Sequence, residues 1–267
     1  MCFDDDARPP LPPIRGGALD AGELTLTSRD GTAFRAYAAR AESPSGAGIV
    51  IIPDVRGLLP FYEELTLRFA EAGVHAVAFD LYARTAADQP RGSAFDHEPH
   101  VLQLSREALD DDVAAAIAFL RSPRGGEAQR TYTVGFCIGG RVSLLQAGGG
   151  QGLEGVIGLY PWPVGPHRSG LPAPADEARR FSCPVLLIYG GADAGIPADA
   201  RQAFDTALDA AGVEHRTIVH EGAPHSFFDR KSDEFAEASA ATWREILAFI
   251  NVGPPATVER PLRDVNR

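Results

Sequence analysis

Cysteine is scarce in this chain of 267 residues: Cys2, Cys137 and Cys183 are the only three. An odd number in a chain this long excludes a disulfide scaffold, and the three read as reduced thiols, with the cytoplasm as the expected location. Long apolar runs are missing too, since none approaches the roughly 18–20 residues of a transmembrane helix. Met1–Asp6 is acidic where a signal peptide would be basic, and prolines 9, 10, 12 and 13 interrupt any apolar stretch behind it. Basic residues are outnumbered: 25 Lys and Arg against 36 Asp and Glu leave a formal net charge of −11. That field repels phosphate backbones and anionic headgroups, so neither nucleic acid nor a membrane surface is expected as a partner. A small anionic substrate stays admissible, because salt screens distant charge within about 8–10 Å and a few local arginines set the potential at a site. No internal repeat occurs. Gly148-Gly149-Gly150 has neither the preceding strand nor the following Gly-Lys-Ser/Thr of a phosphate loop.

What is present is an ordinary globular composition, 45% hydrophobic and 23% charged. A chain of this size buries about 70–75% of its unfolded surface and needs no staple. Residues 1–20 and 252–267 lack an apolar period and read as tails around a single domain at 21–251. Glu23–Ser28 and Ala33–Arg40, joined by Arg29-Asp30-Gly31-Thr32, form a leading hairpin. Continuous apolar runs follow at Gly48–Pro53, Val74–Asp80, Thr131–Phe136, Gly155–Tyr160 and Pro184–Gly190, the mark of strands buried on both faces, with one more strand at His215–His220. Helical stripes alternate with them at Phe61–Ala72, Ser105–Arg121, Arg141–Ala147, Pro197–Ala211 and Phe235–Ile250. The expectation is an α/β fold, a mostly parallel central sheet of about eight strands flanked by helices on both faces. Ligands of such sheets bind beyond the carboxyl ends of the strands. Two long connections, Ala83–Leu104 and the proline-rich Pro161–Ser182, are candidate binding loops.

One strand-to-helix junction carries chemistry. Gly135-Phe136-Cys137-Ile138-Gly139-Gly140 has the small-x-nucleophile-x-small pattern of a nucleophile elbow with Cys in place of Ser. A thiol at a helix N-terminus gains thiolate character from the dipole. An acid after a later strand and a histidine after the last one complete the chain order nucleophile, acid, base. Asp193 follows Pro184–Gly191, and His225 follows His215–His220. His225 is then the base and Asp193 the group that fixes its tautomer. The backbone N–H groups of Ile138 and Val55 are the candidate oxyanion hole.

The segment Ile49–Arg84, the elbow GFCIGG, the strand-plus-acid VLLIYGGAD and the AxHSF pattern around His225 resemble the dienelactone hydrolase family of α/β-hydrolases. The resemblance implies opening of an enol-lactone without metal or cofactor, with the triad on Cys137, Asp193 and His225. It places Arg84, in DLYAR, against the substrate carboxylate. Two positions depart from the family. Asp54 stands where the family has a glutamate that orients the thiol, and one methylene fewer retracts the carboxylate by about 1.5 Å. Asp229 stands where the family has a second carboxylate-binding arginine, and Arg230, one residue later, is the candidate substrate-binding residue in its place. Tyr82, Tyr160 and Trp162 are candidates for an apolar wall. Asp96-His97-Glu98-Pro99-His100 has metal-ligand residue types, yet Pro99 keeps its histidines off one helical face, so no metal is expected. The resulting expectation is a cysteine hydrolase, monomeric or a small homo-oligomer, acting on a dienelactone-type lactone or small ester through a Cys137 thioester. The alternatives are a broad carboxylesterase or thioesterase not specific for dienelactone and a non-catalytic thiol-sensing or binding protein on the same scaffold.

Overall fold

The computed structural model of the chain describes residues 8–11, 18–87, 89–92, 94–228 and 234–250. Five strands, β3 (Ala47–Ile52), β4 (His75–Phe79), β5 (Arg130–Phe136), β6 (Gly155–Leu159) and β7 (Val185–Gly190), are buried along almost their whole length, as their continuous apolar runs require. β8 (His215–His220) is half-buried at one edge of the sheet. At the other edge stands the hairpin of β1 (Ala18–Thr27) and β2 (Ala33–Ala41). β1 begins earlier than its apolar alternation suggests. Asp20-Ala21-Gly22 has little strand preference, but β2 supplies partners across a register shift between Ala18 and Ala21.

The strand order is β1-β2-β4-β3-β5-β6-β7-β8, antiparallel at β1·β2 and β2·β4 and parallel at every other pairing. After β3 the chain moves to one side to form β4, then crosses to the other side of β3 to form β5. The loops leaving β3 and β5 therefore diverge, and the crevice between them is the topological switch point at which open α/β sheets bind ligands.

Helices α1 (Pro60–Glu71), α4 (Arg106–Arg121), α5 (Ile138–Leu145), α7 (Ala198–Ala211) and α8 (Ala236–Phe249) match the helical stripes of the sequence. α4 illustrates the local logic. Ser105 caps it, its Oγ accepting the Ala108 N–H at 3.4 Å, and Leu109, Val113, Ala116, Ile117 and Leu120 are buried. The long connections contain short helices that the sequence did not reveal: α2 (Ala83–Ala86), α3 (Glu98–Val101) and α6 (Pro174–Glu177). Among the described residues no helix is long and apolar enough to cross a membrane.

Asp112, on the buried side of α4, breaks the apolar stripe for a reason. Its carboxylate accepts both terminal nitrogens of Arg84, at 2.7 and 3.0 Å, while Arg84 Nε donates to Asp30 at 3.0 Å. One guanidinium thus ties α2 to α4 and to the turn of the hairpin. These bonds raise the pKa of Arg84 and hold Asp30, through its bond to Arg84, at about 2. Truncating one member of a buried pair costs about 3–5 kcal/mol. Asp112→Ala is expected to lose about 3 kcal/mol, the lower end because Arg84 is partly solvated, read as a lower urea midpoint at unchanged slope.

Candidate active site

β5 ends at Phe136 and α5 starts at Ile138, so Cys137 alone makes the turn between them. Its backbone sits at φ 55, ψ −115, outside the regions that L-residues favour. Two glycines permit this. A methyl group on Gly135 would overlap the carbonyl oxygen of Gly139, and one on Gly139 would overlap the carbonyl oxygens of Ile52 and Pro53. The turn is pinned by Cys137 N–H donating to Leu159 O at 3.1 Å and by Arg141 N–H donating to Cys137 O at 3.2 Å. Cys137 thereby caps α5, where the first N–H groups, Ile138 among them, have no acceptor within the helix.

The loops that carry Asp193 and His225 are locked together by backbone. Gly191 N–H donates to His220 O at 2.8 Å and Ala192 N–H to Ala223 O at 2.9 Å. A side chain at Gly190 would overlap the Ala223 carbonyl, which accounts for glycine at that end of β7. Asp193 is buried; its Oδ1 accepts Gly195 N–H at 2.9 Å and its Oδ2 lies 2.6 Å from His225 Nδ1. His225 also hydrogen-bonds Cys137. Burial opposes an imidazolium there, but the bonds to Asp193 and Cys137 and their charges outweigh it and raise His225 to about 10. The Tyr160 ring lies 4.9 Å from that of His225. Tyr160 at φ 38, just past β6, and Ser226 at φ 59, next to His225 in the loop after β8, are further non-glycine residues in the left-handed region, so the backbone on both sides of the His225 ring is strained.

The loop after β3 packs on the elbow, since the Ile52 and Pro53 carbonyls are what Gly139 meets. Asp54 is buried within it, with Oδ1 accepting Arg56 N–H at 2.9 Å and its own N–H donating to the Tyr62 hydroxyl at 2.9 Å. The Val55 carbonyl accepts the Tyr82 hydroxyl at 2.6 Å. Burial, followed by the charges of Asp54, Asp80 and Cys137, raises the Tyr82 phenol, so the ring sits among these groups. Asp80 is a residue that sequence reasoning missed. It accepts Leu58 N–H at 3.0 Å, Tyr82 N–H at 2.8 Å and a two-point bond from Arg91 at 2.7 and 2.8 Å. Its sequence signal is an Asp directly after an apolar strand run, the same kind of position that Asp193 holds.

Not every expected residue gathers here. Arg84, expected against a substrate carboxylate, is engaged by Asp112 and Asp30, with one hydrogen bond from each of its three nitrogens. Arg230 and Cys2 lie outside the described residues. Tyr160 is buried beside His225, and Trp162 is half-buried in the following loop. Cys183 is buried in the core, with its thiol raised to about 11 chiefly by burial. Among the described residues no group of three or more His, Cys, Asp and Glu is arranged to hold a metal. His100 stacks on Phe95 at 5.2 Å, and Glu98 pairs with Arg168 at 3.1 Å.

An eight-stranded, mostly parallel sheet with a strained elbow after β5 and an acid–histidine pair after β7 and β8 defines an α/β-hydrolase. The sequence profile of the dienelactone hydrolase family matches residues 34–252. The chain belongs to that family and is a hydrolase of its type. It is 30% identical over 241 residues to a Salmonella typhimurium protein provisionally named carboxymethylenebutenolidase, covering 87% of each chain. It is 23% identical over 210 residues to a Bradyrhizobium protein named provisionally as a 2-oxo-3-(5-oxofuran-2-ylidene)propanoate lactonase, covering 76% of this chain and 82% of that one. A Klebsiella pneumoniae crystal structure, described provisionally as a dienelactone hydrolase, superposes with a TM-score of 0.76 at 27% identity over 87% of this chain and 98% of its own.

The raised His225 pKa fixes the sign of a pH effect. Charged His225 contributes stability that is fully present below its ordinary 6.5 and is lost as pH rises through about 10. The gap in unfolding free energy between wild type and His225→Ala is therefore expected to be constant below 6.5 and to shrink between 6.5 and 10, by denaturation at a series of pH values.

Proposed function

We propose that Cys137 is the nucleophile of a carboxylic ester hydrolase that opens a dienelactone-type enol-lactone or a small ester. The observation that carries this reading is the 2.6 Å Asp193–His225 bond combined with the His225–Cys137 bond at a strained elbow. Cys137 Sγ attacks the acyl carbon, and any proton it carries passes to His225. The oxygen that becomes negative is received by the N–H groups of Ile138 and Val55, each worth about 10²–10³ in turnover. The C–O bond breaks, His225 returns the proton to the departing oxygen, and a thioester remains. His225 then takes a proton from water as it adds to the thioester, giving the carboxylic acid and restoring the thiol. Asp193 stays ionised throughout. No cofactor takes part in this scheme, and Cys137 and Cys183, which form no disulfide, suit a cytoplasmic enzyme.

The substrate is the open half of the proposal. The Bradyrhizobium relative's name favours a lactone. The pairing of Arg84 with Asp112 and Asp30 favours a broader esterase, because the cation expected for an anionic lactone is already neutralised.

Cys137→Ala, or stoichiometric alkylation, is expected to lower p-nitrophenyl acetate turnover at least about 10³-fold with the fold intact. Unchanged turnover would sink the cysteine mechanism and leave the thiol-sensing reading. For the substrate, kcat/KM of cis-dienelactone is compared with that of a neutral ester. Arg84→Ala is expected to lower both by one factor. A selective loss on the lactone of about 1.5–3 kcal/mol would return Arg84 to the site.

A further inference from the structure

Arg141 is fully buried on α5, one turn beyond Cys137, and the hydrolytic scheme gives it no task. An arginine in a core normally meets a carboxylate. Here the side chain donates to four backbone carbonyls: Nε to Pro172 at 3.0 Å, Nη1 to Trp162 at 2.8 Å, and Nη2 to Gly165 at 3.0 Å and Leu171 at 2.9 Å. All four belong to the connection between β6 and β7. Burial pulls the guanidinium below its ordinary pKa, with Asp176 acting in the opposite direction, so keeping this charge inside is costly. An apolar side chain of similar volume would fill the space without that cost, which points away from simple core filling.

The loop is shaped around the guanidinium. Gly165 supplies one of the carbonyls at φ 66, and Gly170 precedes another at φ 72; a Cβ on either meets nothing within 4 Å, so glycine serves the backbone conformation rather than a close contact. Between them, His167 accepts the Ser169 N–H on Nδ1 at 3.1 Å, which leaves its proton on Nε2. Burial, then the charge of Arg141, lowers the His167 pKa while Cys137 acts to raise it, so this segment lies within electrostatic reach of the nucleophile. Tyr160, beside His225, and Trp162 open the same connection.

We propose that Arg141 is a positioning residue that moulds residues 161–172 into the acyl-binding wall and registers that wall to the nucleophile turn, so that it sets which acyl groups the enzyme accepts. The proposal rests on the hydrolytic reading of Cys137. Hydrolysis of p-nitrophenyl acetate, butyrate and hexanoate is measured for wild type, Arg141→Met and Arg141→Lys, with iodoacetamide alkylation of Cys137 and hydrogen exchange alongside. In Arg141→Met the acyl-chain preference is expected to flatten, KM for the preferred ester to rise about tenfold with a smaller change in kcat, and the amides of Gly170, Leu171 and Ala175 to exchange at least about tenfold faster. Alkylation should stay within about threefold of wild type, and Arg141→Lys should recover part of the preference. A uniform drop across the esters with the preference unchanged, or unaltered exchange in the loop, overturns the proposal. If Arg141→Met does not fold, Arg141→Lys against wild type carries the same comparison, and wild-type loop amides exchanging at the rate of an unstructured chain overturn it. Undiminished hydrolysis by Cys137→Ala would instead defeat the hydrolytic reading, which the loop-exchange measurement does not depend on.

Discussion

The close approach of three backbones at the end of β5 governs the rest of the molecule. Cys137 holds a conformation that an L-residue adopts only under constraint, and the constraint is the contact of Gly139 with the Ile52 and Pro53 carbonyls together with that of Gly135 with Gly139. Because these contacts leave no room for a side chain, the loop leaving β3 is pressed onto the start of α5. That one packing event puts the thiol at a helix N-terminus and brings Ile138 and the Pro53–Gly57 loop together. The same economy recurs at β7, where Gly190 lets the Ala223 carbonyl approach and so sets the distance between Asp193 and His225.

Charge organises the layer above. Of 25 basic residues only Lys231 is a lysine, and the arginines serve a chain with 36 acids as multi-point ties. Arg84 joins α2, α4 and the hairpin turn; Arg91 closes on Asp80 and lies over the Phe95 ring at 4.5 Å; Arg106 reaches Asp110, Glu177 and the Leu145 carbonyl. Each fixes part of a long connection to the scaffold. A lysine, with three donors on a point charge, does not span such partners. The cost is electrostatic: arginines engaged with acids add little net positive potential for an anionic substrate, and the overall charge of −11 opposes its approach.

The sheet was legible because burial on both faces writes continuous apolar runs into β3 to β7, and the helices because their stripes face that sheet. The juxtaposition of Cys137, Asp193 and His225 was legible for a related reason: steric necessity puts glycine at 135, 139 and 190, and topology puts Asp193 and His225 after β7 and β8. What escaped has partners far along the chain. Asp112 is buried against Arg84, 28 residues away, and Arg141 against carbonyls 21 to 31 residues on. Neither pairing leaves a local period. Arg84 adds a further case: its place in a motif is legible, but the two acids that engage its guanidinium, Asp30 and Asp112, lie 54 and 28 residues away. Helices α2, α3 and α6 are single turns too short to show a periodicity.

The electrostatics of His225 give direction to the proposed reaction. At rest the imidazolium is supported from two sides, by Asp193 and by Cys137. In the proposed reaction, as Cys137 sulfur bonds to the acyl carbon, negative charge gathers on the carbonyl oxygen, and the support from Cys137 disappears. Burial and Asp193 remain, and they act in opposite directions on the proton. His225 thus becomes a stronger acid at the moment the departing oxygen needs a proton, and a competent base once that proton is gone and the thioester is neutral. In the proposed scheme Cys137 supports the cation on His225 and withdraws that support by its own attack, with no rearrangement of the fold.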